Sequence, residues 1–133
     1  MLERDYFIRL IQEFTAALAL FLEKKKEDRK DDDMKELYRQ YVGDYDLIRN
    51  LSFEEILAYA HDQWKEEERM DRLEMLAELL YAESTYKSAP LKSMLQEKSF
   101  LVFDYVDERM KSYSIRRKQM MQQLQQELGN VGM

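Results

Sequence analysis

The sequence predicts an all-α protein, an antiparallel array of five to six helices, on three observations. Apolar residues recur at spacings of three and four through most of the chain, as on one face of a helix. There is one proline, and of three glycines only Gly43 stands before the extreme C-terminus, so a sheet would have nowhere to make its turns. Candidate polar caps precede several of the apolar stretches, and helices can be joined by such caps alone.

A length of 133 residues suits one domain with a single core. Within it, residues 1–69 are expected to hold the N-terminal helices, 70–128 a helical hairpin plus a last helix, and 129–133 a frayed tail.

The first helix is expected from about Arg4 to Lys26, with Phe7, Leu10, Ile11, Phe14, Leu18, Phe21 and Leu22 as its stripe. Phe14–Leu22 could pass for a short signal core. However, Glu3, Asp5 and Glu13 precede it, and EKKKE stands where small cleavage-site residues belong. Nine apolar residues are also too few to span a bilayer, so a cytoplasmic protein is the expectation.

In the mixed-charge run Glu23–Glu36, one of Asp31, Asp32 and Asp33 is expected to cap the second helix. The run lacks the alternating ligands and sixth-position glycine of a calcium loop. Met34, Leu37, Tyr38, Tyr41 and Val42 form the second stripe, which stops at Gly43. A single turn is expected to hold Leu47 and Ile48 inward. Ser52 and Glu55 have capping-box spacing for a third helix bearing Phe53, Ile56, Leu57, Ala60 and Trp64.

The charged run at Lys65–Arg69 is expected to end or bend that helix before the central one, Met70–Tyr86, begins at an Asp71/Glu74 capping pair. Leu73, Leu76, Ala77, Leu80 and Tyr81 share one face of it, and Met75, Leu79 and Ala82 widen that face. Pro90 is expected to open a fifth helix carrying Leu91, Met94, Leu95, Leu101, Val102, Tyr105 and Val106, flanked by Phe100 and Phe103. Ser112 or Ser114 caps the last helix, whose stripe is Ile115, Met121, Leu124 and Leu128, and Gly129 is expected to end it. The core is predicted to join Phe14, Leu18, Leu57, Trp64, Leu76, Leu80, Leu95 and Val102.

Leu73, Leu76, Ala77, Leu80, Ser84 and Tyr86 resemble the first helix of a tetratricopeptide repeat, with the fifth helix as the second. Together with RDYFIRLIQEF, LSFEEIL and LAELLYAE, the chain resembles a family of small bacterial all-helical proteins of unknown function. That resemblance implies a bacterial cytoplasmic protein with a tetratricopeptide-like hairpin in its C-terminal half. It brings no activity and no catalytic residues.

Enzyme chemistry has little to work with, and no enzymatic activity is expected. Cysteine is absent, and His61 is the only histidine, without a Glu-x-x-His partner set. No glycine-rich loop exists to cradle a phosphate. A serine nucleophile would need its base from that one histidine. Hence no catalytic residue, metal site or cofactor is expected.

Two clusters remain as candidate sites. Tyr38, Tyr41, Tyr45, Tyr81 and Tyr86, five of nine tyrosines, could line a groove for a protein or peptide partner. Arg109, Lys111, Tyr113, Arg116, Arg117 and Lys118 form a stretch without an acid, which could grip a phosphate backbone. The formal charge of −6 argues against nucleic acid as the main partner. The preferred reading is therefore a non-enzymatic protein–protein interaction module using a helical groove. The breadth of apolar surface on helices one and five adds the expectation of a homodimer.

Overall fold

The computed structural model describes residues 2–131, and among them every regular element is helical. Seven α-helices follow in order: α1 (Leu2–Glu23), α2 (Asp31–Tyr41), α3 (Tyr45–Ile48), α4 (Phe53–Gln63), α5 (Glu66–Ser84), α6 (Leu91–Arg109) and α7 (Ile115–Val131). One 3-10 turn, Lys26–Asp28, links α1 to α2.

The middle helix is the organising one. α5 touches α1, α2, α4 and α6, and from Leu73 to Ser84 only Glu74, Glu78 and Tyr81 escape full burial. A helix buried on so many sides has no single apolar face. α6 runs back along it: Lys92 Nζ donates to the Ser84 carbonyl (2.9 Å), and Ser99 Oγ to the Ala77 carbonyl (2.7 Å). Small side chains at Ala77 and Ser99 allow this close approach. α7 returns alongside both, with Gln123 Nε2 on Tyr81 (2.9 Å) and Gln96 Nε2 on Glu127 (2.8 Å). On the other side, α1 and α2 form an antiparallel pair, joined by Phe14 edge-on to Tyr41 at 5.1 Å and Lys24 on Asp33 at 2.8 Å.

The boundaries differ from expectation where charge decides them. Lys65–Arg69 opens the central helix: Glu66, Glu67 and Glu68 fill its first turn, where carboxylates meet the positive end of the helix dipole. Asp71 and Glu74 are thus inside α5 and cap nothing. Lys30 is the N-cap of α2, and Asp31, Asp32 and Asp33 lie in the first turn. Pro90 is the N-cap of α6, with the Ala89–Pro90 peptide bond cis. Gly129 does not stop α7, because its backbone stays helical, and among the described residues only Gly43 adopts positive φ (139°). Of the expected frayed tail, Gly132 and Met133 lie outside the described residues.

Ser52 and Glu55 form the full capping box of α4, and Ser114 Oγ accepts from the Arg117 N–H at the start of α7. Phe14, Leu18, Leu76, Leu80, Leu95 and Val102 are buried in one contiguous cluster, whereas Leu57 and Trp64 only pack against it. Trp64 follows the last residue of α4 and meets Tyr59 edge-on at 5.5 Å. In α3, Tyr45 and Ile48 turn inward and Leu47 outward. α6 buries Leu95, Val102, Phe103 and Val106 within the chain, largely against α5 and α7, while Met94 and Leu101 remain exposed. Among the described residues no helix is long and apolar enough to cross a membrane.

Candidate functional site

The five tyrosines do not line an open groove. Tyr38, Tyr41 and Tyr45 are buried, with Tyr38 edge-on to Tyr45 at 5.0 Å, and Tyr81 and Tyr86 are half-buried. Tyr45 and Tyr86 turn their phenols toward carboxylates within the fold, whereas Tyr81 accepts from Gln123.

The chief acceptor is Glu83, wholly buried near the end of α5. Tyr45 donates to its Oε2 at 2.6 Å, and Arg49 reaches the same oxygen through Nη2 at 2.9 Å and Nε at 3.1 Å. Lys87 Nζ stands 3.8 Å from Glu83 and 2.8 Å from Asp31, and Asp31 also accepts from Tyr86 at 2.7 Å. Lys98 of α6 donates to the Arg49 carbonyl at 2.8 Å. This network ties together α2, α3, α5 and α6. Gly43 makes it possible, because its positive φ turns the chain from α2 into α3 and delivers Tyr45 and Arg49 to Glu83.

The electrostatics keep the phenols neutral. Burial pushes the Tyr45 and Tyr86 hydroxyls well up, and their bonds to Glu83 and Asp31 push the same way. Burial, then the Glu83 charge, raises Tyr38, whose hydroxyl finds no partner. Burial alone would raise Asp31, but the Lys87 and Tyr86 bonds outweigh it and hold the carboxyl below its usual range. With its hydroxyls and Asp31 turned inward, the network acts as a clamp between helices.

The basic stretch is largely consumed by acids. Arg116 grips Glu78 on α5 through two nitrogens. Arg117, only 2% exposed, donates to Asp107 (2.9 Å), Glu74 (3.0 Å) and the Ser112 carbonyl (3.1 Å). Lys118 also holds Asp107. Arg109 lies over the Tyr105 ring at 3.6 Å, beside Glu108. Lys111 and Tyr113 stand exposed in the α6–α7 link. A phosphate strand would have to displace carboxylates from four of these five cations.

Folding this stretch onto α5 creates a cleft of about 170 Å³. Ile11 and Phe14 of α1, Met75 of α5 and Phe103 of α6 give it an apolar side; Asp71, Glu74, Glu78, Arg116 and Arg117 give it a charged one. Burial raises the Asp71 and Glu74 carboxyls, more than the pull of Arg4 and Arg117 on Asp71, or of Arg117 on Glu74, brings them down. The three acids had a legible signal: spacings of three and four put them on one face of α5, where sequence reading assigned only a cap and a polar strip.

The His61 ring is exposed, with Nδ1 3.4 Å from Asp62. Among the described residues no group of three or more acid, histidine or cysteine side chains could hold a metal ion. No protein-family model, curated protein or solved structure matches this chain.

Proposed function

We propose that the protein is a non-enzymatic interaction module, that its docking face is the outer side of α1, and that the occupant is the same face of a second copy. The supporting observation is an uncharged helix surface. Phe14–Leu22 contains no charged residue, and Thr15, Ala16, Ala19 and Leu20 are all exposed, Leu20 by 65%. Beside it a groove of about 240 Å³ runs between α1 and α2, floored by Ala17, Leu20, Phe21 and Leu37 and rimmed by Lys24, Asp33, Glu36 and Gln40. Alanines let a second helix approach closely, and a projecting leucine needs a hollow to enter.

Charge complementarity favours a second copy. In an antiparallel crossing centred between Leu18 and Ala19, Leu20 of each copy comes level with Ala17 of the other. Glu13 then comes level with Lys24, the first residue beyond α1. Such a pairing closes on itself by two-fold symmetry. A backbone-gripping role for Arg109–Lys118 has less support, because Arg116, Arg117 and Lys118 are already bound to carboxylates.

Sedimentation velocity over a micromolar concentration series tests this. The wild-type chain is expected to move from monomer to dimer, and Leu20→Glu to stay monomeric with an unchanged helical circular dichroism spectrum. A wild-type monomer at every concentration removes the second copy as occupant.

A further inference from the structure

The cleft over α5 contains one acid more than its bases satisfy. Arg116 is spent on Glu78, and Arg117 on Glu74, Asp107 and the Ser112 carbonyl. Asp71 faces the same space with no hydrogen bond or ion pair among the described residues; Arg4 and Arg117 act on it only from a distance. Three carboxylates therefore line the cleft against two guanidinium groups, and the apolar residues Ile11, Phe14, Met75 and Phe103 share its lining.

We propose that this cleft binds a small organic ammonium ion, its cationic head on Asp71 and its compact apolar body against half-buried Ile11, beside Phe14 and Met75. The space of about 170 Å³ is slightly larger than an apolar cavity known to hold benzene, roughly 150 Å³. It suits one ring or a short branched chain. A positive head restores the missing charge. Asp71 is half-buried, where an ion pair is screened less than at the surface. An anion would have to pull Arg116 or Arg117 from carboxylates they already hold. The cleft borders the α1 docking face at Thr15, but Asp71 stands on α5 and Leu20 does not line the cleft, so Asp71→Asn and Leu20→Glu test the two proposals apart.

Benzylammonium is the probe, followed by proton–nitrogen NMR of the full chain at neutral pH, with neutral benzyl alcohol of the same size alongside. Saturable shifts are expected around the cleft on α1, α5 and α7. Asp71→Asn should weaken binding by roughly ten-fold or more, as the loss of a charge-assisted bond does. Benzyl alcohol on the wild-type chain should be weaker by a similar factor, a comparison that needs no variant. The proposal is overturned if benzylammonium gives no saturable shift, if benzyl alcohol binds equally well, or if Asp71→Asn leaves the affinity unchanged.

Discussion

α5 carries acids at both ends, and the fold treats the two ends differently. At the C-terminal end Glu83 is sealed from solvent and meets Tyr45, Arg49 and, more distantly, Lys87. Toward the N-terminal end Asp71, Glu74 and Glu78 face a cleft, where Arg116 and Arg117 satisfy only the last two. Burial is therefore a poor guide to function in this helix. The most buried acid is the one with the most partners, and it holds elements together. The half-buried acid without a hydrogen-bond or ion-pair partner among the described residues is the one proposed to take a ligand.

The largest expected effect breaks the closed end. Glu83→Gln removes the charge facing Arg49, whose side chain is only 17% exposed. An uncompensated charge in such a place costs about 3–5 kcal/mol, readable by urea denaturation. Glu83→Leu combined with Arg49→Met should recover much of that loss, because replacing a buried pair by apolar groups is often close to neutral. A loss below about 1 kcal/mol for Glu83→Gln would mean that the clamp carries little stability.

A smaller effect is expected at the turn that supplies this clamp. A Cβ on Gly43 would come 2.6 Å from the Tyr59 hydroxyl oxygen and 2.8 Å from Ile48 Cδ1, at a φ of 139° that side chains rarely adopt. Gly43→Ala should cost about 1–3 kcal/mol and loosen α3, seen as faster amide exchange at Leu47 and Ile48. Exchange unchanged at those two amides would separate the turn from the clamp.

Much of the fold was legible because helix periodicity reports which residues share a face. Phe14, Leu18, Leu76, Leu80, Leu95 and Val102 are all in the core that their spacing implies. The same signal cannot say how deep a face lies. Trp64 has the right spacing but follows the last residue of its helix. Tyr38 and Tyr45 read as amphipathic groove residues, yet both are buried, Tyr45 because Glu83 offers an internal acceptor 38 residues away. Long-range charge pairing was hidden for the same reason. The acid-free stretch Arg109–Gln126 looks like an open basic surface until Glu74, Glu78 and Asp107 fold onto Arg116, Arg117 and Lys118.

The smallest expected effect, and the most direct test of the contrast within α5, is the thermal and urea stability of Asp71→Asn beside wild type. The Asp71 pKa is raised by burial, so the ionised carboxylate costs stability above that pKa, and the cost fades as pH falls toward the ordinary carboxylate range. At neutral pH the variant should therefore be more stable, by roughly 0.5 kcal/mol after allowance for solvent screening. The advantage should shrink as pH is lowered through the raised pKa and vanish once the carboxyl is protonated in both folded and unfolded chains. A variant less stable than wild type at neutral pH, with a deficit that closes on acidification, would show Asp71 to be as well paired as Glu83 and would contradict the account.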